Sequence, residues 1–117
     1  MKSDDLPIYL FGLYRWAGTT PEEFREHYLS HHAPNIGKKM PGVAWYYTFL
    51  NKEPQTGQEG APRPDAFAIM CFESEEALKN APNTDKWAEA MKDNIGFVSH
   101  FDTYNVERVT LIGEHEK

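Results

Sequence analysis

The sequence predicts an α+β fold in the order β-α-β-β-α-β, with a four-stranded antiparallel sheet and helices on one of its faces. Three observations carry that prediction. Aromatic and aliphatic runs recur at Ile8–Arg15, Val43–Leu50 and Asp65–Phe72. Helix starts with capping chemistry stand at Thr20 and Ser74, after the first and third runs. The second and third runs are joined by a proline- and glycine-rich stretch with no helical pattern, so they pair directly as antiparallel neighbours.

The elements follow in order. In the first run, Tyr9, Phe11 and Leu13 alternate with Ile8, Leu10 and Tyr14, which reads as a strand apolar on both faces. Thr20-Pro21-Glu22-Glu23 joins three helix signals. Thr20 caps, Pro21 suits the first turn, where its missing N–H costs nothing, and Glu23 closes a capping box on Thr20. This helix is predicted from Pro21 to about His32, because Pro34 disfavours helical geometry at Ala33. A further short turn is expected at Ile36–Lys39, before Pro41-Gly42. Val43–Leu50 is the second strand, with Trp45, Tyr47 and Phe49 alternating with Ala44, Tyr46 and Leu50. Residues 51–64 hold three prolines, two glycines and no large apolar residue, and read as a long loop.

Asp65–Phe72 is the third strand. Ser74 caps a short helix through Glu75-Glu76-Ala77-Leu78, and Ala81-Pro82-Asn83 breaks it from a second helix over Asp85–Asn94, with Gly96 as the stop. The last strand is expected within Tyr104–Ile112. This order is that of the ferredoxin-like split βαβ arrangement. One chain supplies helices for one sheet face only, so the other aromatic face is expected to meet a second copy in a homodimer.

With 117 residues there is room for one domain, taken as residues 1–117. An apolar content of 40%, with 14% aromatic, is too high for a disordered chain. A formal charge of −6 and twelve scattered Lys and Arg residues argue against nucleic acid and against an anionic membrane surface. No run approaches the roughly 20 apolar residues of a membrane span. The opening residues carry Asp4 and Asp5 where a signal peptide would be basic, so a cytoplasmic location is expected. A single cysteine, Cys71, excludes an internal disulfide and multi-cysteine metal sites, and its mid-strand position reads as an inert core residue. With no glycine-rich phosphate loop, nucleophile elbow or dinucleotide fingerprint, no cofactor is expected. The expected partner is a hydrophobic small molecule.

Three of the five histidines lie in Phe24-Arg25-Glu26-His27-Tyr28-Leu29-Ser30-His31-His32. Phe24, Tyr28 and His32 form an i, i+4, i+8 stripe, so His32 shares the face that packs on the sheet. There an imidazole can act as a general acid or base; the plainer reading is a core histidine bonded to a backbone carbonyl or facing the helix dipole. On a regular helix His31 lies about 100° from His32 and nearer Phe24, with His27 further toward solvent. His27 and His31 have a spacing that suits a metal, but no acidic residue or cysteine stands nearby at ligand spacing. Two solvated histidines and no metal are therefore expected.

The six tyrosines and three tryptophans mostly belong to the core and the dimer interface. A pocket between sheet and helix, with Tyr28, Tyr14, Tyr46 or Tyr47 on its walls, would suit a planar or phenolic ligand. Arg15 could orient an anionic substituent there, although a strand-end arginine is more commonly solvated.

The segment from Leu13 to Tyr46 resembles the EthD family of the dimeric α/β-barrel superfamily. The resembling residues are Leu13-Tyr14-Arg15, Thr20-Pro21-Glu22-Glu23-Phe24, His27-Tyr28, His32-Ala33-Pro34 and Pro41-Gly42. The resemblance implies a ferredoxin-like monomer that pairs sheet to sheet, with a ligand cavity between the sheet and its own helices. It also implies cofactor-independent chemistry of a monooxygenase, isomerase or cyclase type. The compounds would be hydrophobic aromatics, polyketides or lactones, often in catabolism. The family's helix histidine falls on His32, with His27 a second candidate. The long loop 51–64 and the doubled histidine at 31 and 32 depart from the pattern. A non-catalytic hydrophobic-ligand-binding or accessory protein of a degradation pathway is the alternative.

Overall fold

A computed structural model describes residues 6–52 and 63–113. Four strands form one antiparallel sheet: β1 (Ile8–Arg15), β2 (Val43–Leu50), β3 (Ala66–Phe72) and β4 (Val98–Val106), in the spatial order β2-β3-β1-β4. The central strand β1 pairs with β3 and β4, so that Phe11 faces Ala68 on one side and Thr103 on the other. This is the ferredoxin-like order, and the central place of β1 explains why it is apolar and aromatic from Ile8 to Tyr14.

Helix α1 (Pro21–His27) opens with the predicted capping box. The Thr20 hydroxyl accepts from the Glu23 N–H at 3.1 Å, and the Glu23 carboxylate accepts from the Thr20 N–H at 2.9 Å. The helix then differs from expectation. It widens into a π turn over Tyr28–His32 and continues as α2 (Ala33–Asn35), passing through Pro34 instead of stopping before it. Proline donates no N–H and crowds the carbonyl four residues back, here that of Ser30. The π turn shifts the bonding register immediately before it: the Ala33 N–H reaches the Tyr28 carbonyl, five residues back. A tight 3-10 turn follows at Gly37–Lys39.

Helix α3 (Glu75–Asn80) is capped by Ser74, and a 3-10 turn at Ala81–Asn83 leads to α4 (Asp85–Phe97). Helix α4 runs past Gly96 to Phe97, beyond the stop read from the sequence. Strand β4 is corrected more strongly. It was expected within Tyr104–Ile112 but occupies Val98–Val106, because Val106 already pairs with Ile8, the first residue of β1. Residues 107–112 have no further β1 residue to pair with. The expected loop 51–64 falls mostly outside the described residues.

The helices bury one face of the sheet in two joined cores. One gathers Leu13, Phe24, Tyr28 and Phe97, and the other Met40, Met70, Phe72 and Leu78, with Phe11 packed against both. Opposite, Tyr47 is 59% exposed and Phe49 53%, and Phe67 and Tyr104 are also uncovered. Arg108 stacks on Trp45 at the edge of this face, 5.2 Å from the ring centroid. No described helix is long and apolar enough to cross a membrane.

Candidate functional site

Between the sheet and the helices lies a mainly apolar cavity walled by Phe11, Tyr28, His32, Tyr46, Met70 and Trp87, among others. About 60 Å³ is left for the centres of water-sized groups, enough for a few waters. Met40, Met70 and Met91 also line it. Methionine side chains are unbranched and repack readily, so these walls can yield to a larger ligand.

Two sets of polar groups face this space. On the sheet side, the Tyr28 and Tyr46 hydroxyls lie 3.3 Å apart, and the Thr48 hydroxyl donates to the Tyr28 oxygen at 2.9 Å. Tyr46 fits because Gly37 has no side chain: a β-carbon there would stand 2.8 Å from the Tyr46 ring. Burial pushes both phenols above their ordinary range, so at neutral pH both are proton donors.

On the helix side, His32 is held by Asp93 of α4, with Nδ1 2.7 Å from Oδ2. Its side chain is only 12% exposed. A carboxylate accepts and does not donate, so Nδ1 carries the proton and Nε2 is the nitrogen left for a ligand. Burial pushes the His32 imidazole below its ordinary value, with the Asp93 bond and charge acting the other way. Burial would raise the Asp93 carboxyl, but the hydrogen bonds from His27 and His32 outweigh it and hold the group below the usual carboxylate range. The arrangement is a neutral histidine with its tautomer set, beside an ionised carboxylate.

The π turn gathers more than this pair. Residues five apart on an α-helix are separated by about 140° around its axis; the wider turn swings His27 and His32 onto one side. His27 Nε2 lies 2.9 Å from Asp93 Oδ2, and His31 Nε2 lies 3.5 Å from Oδ1. Phe97 is the ring around which Phe24, His27, Tyr28 and His32 gather, with the His27 centroid at 4.6 Å.

Of the sequence candidates, His32, Tyr28 and Tyr46 meet at the cavity, and Arg15, Tyr14, Tyr47, His27 and His31 do not line it. Arg15 is a structural tie: its Nε and backbone N–H bond the Asp65 carboxylate at 3.1 and 2.8 Å, and its guanidinium reaches the Thr19 carbonyl. Tyr14 lies on the outer face against Asp102, at 3.4 Å. Tyr47 points outward because it follows Tyr46 on a pleated strand. His27 and His31 are not a solvated pair, since both reach Asp93, and His27 is the more buried of the two. Asp93 was missed. Its place beside the Trp87, Ala90, Met91 and Asn94 stripe of α4 marks it as a boundary residue, but its histidine partner is 61 residues away. Phe97 was missed because it lies past the expected helix end. Cys71 is buried, as expected.

Residues 17–100 match the EthD domain, a span that takes in both helical segments, the Asp93 cluster and most of the cavity wall. The chain belongs to the EthD family. An EthD family protein of Bacillus halodurans has a similar structure, with a TM-score of 0.69 at 23% identity over 89% of this chain and 100% of that one. Another similar structure, from Bacteroides thetaiotaomicron, is described as a candidate antibiotic biosynthesis monooxygenase (TM-score 0.59, 18% identity, 98% of each chain). A third, from Bacteroides fragilis, is described as a dimeric protein with a ferredoxin-like fold (TM-score 0.65, 11% identity, 88% and 96% covered). At these identities the likenesses show the fold. No curated protein matches this EthD chain.

Proposed function

We propose that this EthD protein is a homodimeric, cofactor-independent enzyme that moves a proton on a small hydrophobic compound, aromatic or lactone-like, with His32 as acid and base. The observation that carries this reading is the His32–Asp93 pair at 2.7 Å, buried at the wall of an apolar cavity. Asp93 orients the imidazole and stabilises the cation it becomes when Nε2 takes a proton from carbon or oxygen. Tyr28 and Tyr46, held protonated in the same cavity, donate to the oxygen where negative charge develops. Apolar walls keep water from competing. Proton abstraction of this kind opens isomerisation, cyclisation and oxygenation alike, in line with the candidate monooxygenase among the similar structures. The uncovered aromatic sheet face supports a dimer, as does the similar structure described as dimeric.

The test is proton NMR of the histidine rings in wild type and His32→Ala, titrated with a panel of phenols, quinols and lactones and followed by assay for product. One ring signal absent from the variant should shift saturably, and turnover should fall on the order of 10²–10⁴-fold in His32→Ala. Saturable binding without product would favour the ligand-binding or accessory reading, to which the small cavity also lends support. No response to any compound would end both.

A further inference from the structure

His27 and His31 are left unexplained by cavity chemistry, since neither lines the cavity. Both nonetheless converge on Asp93 from the solvent side of His32. We propose that His27 Nε2, His31 Nε2 and Asp93 Oδ1 form a binding site for a divalent transition-metal cation of the zinc type, with the fourth position open to water.

The geometry fits such an ion. Zinc bonded tetrahedrally at about 2.0–2.1 Å holds neighbouring ligand atoms about 3.3 Å apart. Here His27 Nε2 and His31 Nε2 lie 3.0 and 3.5 Å from Asp93 Oδ1, which brackets that separation. All three residues offer ligand atoms within 4.8 Å of one another, and rotation of the half-exposed His31 ring would close the histidine–histidine side around an ion. The two rings are already neighbours, tilted at 42° with centroids 5.0 Å apart. Two imidazoles and one carboxylate suit Zn²⁺, Ni²⁺, Cu²⁺ or Fe²⁺ and not Mg²⁺ or Ca²⁺, which take oxygen ligands.

The protein also prepares the ligands. Among the described residues, the ion-pair partners of Asp93 are His27, His31 and His32, with no lysine or arginine in the set. His27 Nε2 straddles the carboxylate, 3.0 Å from Oδ1 and 2.9 Å from Oδ2, and His31 Nε2 lies 3.5 Å from Oδ1, so Oδ1 is the oxygen within reach of both. A cation on Oδ1 would draw His27 toward that oxygen and leave Oδ2 to His32 Nδ1, which already lies 2.7 Å from it. His27 is braced by Phe97 at 4.6 Å, which limits its ring motion. His31, 53% exposed, leaves the outer side open to solvent and to an arriving ion.

Untagged chain stripped with a chelator and titrated with Zn²⁺ by calorimetry tests this. One Zn²⁺ per chain should bind saturably. His31→Ala should weaken it on the order of a hundredfold, because even groups outside a metal's ligand set cost roughly 10–100-fold. His100→Ala, which removes an imidazole paired with Asp102 and not with Asp93, should leave binding unchanged. Co²⁺ added to the wild type provides a readout that needs no variant: the ring signals of His27 and His31 should show the strongest paramagnetic shifts among the histidines. Absence of a saturable one-to-one complex overturns the proposal. So does His31→Ala binding as tightly as wild type, or Co²⁺ shifting His100 more than His27 and His31. None of these readings involves turnover, so they stand whether or not the cavity proves catalytic.

Discussion

Tyr46 and Tyr47 are adjacent on β2 and share their chemistry, yet they end in different surroundings. Tyr46 packs against Gly37 and shares a hydroxyl contact of 3.3 Å with Tyr28 inside the cavity. Tyr47 is 59% exposed on the opposite sheet face, its ring stacked on Phe49 with centroids 6.5 Å apart. The same division runs through the sheet: Phe11, Leu13 and Met70 are covered by helices, while Phe67 and Tyr104 are not. Aromatic content therefore does not mark a binding site by itself. The helices decide which aromatic face becomes a cavity, and the other stays open in the single chain.

The largest test of this contrast is on the open face. Tyr47→Asp with Phe49→Asp should turn the proposed dimer into a monomer in sedimentation analysis, because each buried aromatic contributes roughly 1.5–3 kcal/mol and a two-fold interface counts each twice. A wild type that is already monomeric at high concentration would break the comparison. On the covered face, Gly37→Ala places a β-carbon 2.8 Å from the Tyr46 ring and should cost about 1–3 kcal/mol in urea unfolding. Gly18→Ala, with nothing within 4 Å, should change the midpoint little. Thr20→Ala removes the α1 cap and should cost about 1 kcal/mol without touching either face.

The smallest effect is a pH dependence. Burial raises the phenols of Tyr28 and Tyr46 above the ordinary 10.0, so the folded state favours their neutral forms. That contribution is fully present below the unfolded value and is lost as pH rises beyond it. Unfolding stability should therefore decline above about pH 10. Tyr46→Phe should flatten that decline.

Much of the scaffold was legible locally. The bounds of β1 and β2 and the Thr20–Glu23 capping box follow from neighbouring residues acting on one another, as does the place of Tyr28 and His32 on the packed side of the helix. The bounds of β4 were not, because that strand ends where its partner β1 begins. Pro34 stops a regular α-helix, and the π turn before it is a different solution that lets the helix pass through the proline.

The site divides in the same way. Residue types and a helical period determined that His32 would lie among apolar side chains near a tyrosine. They could not show that Asp93, 61 residues away, would hold its Nδ1, or that the same carboxylate would draw in His27 and His31. Nor could they show that Asp65 would engage Arg15, far from the cavity. Local sequence acts through short-range hydrogen bonds and side-chain periodicity, and these determined the elements. The partners of charged groups depend on which elements the sheet topology brings together, and only the tertiary structure decided that.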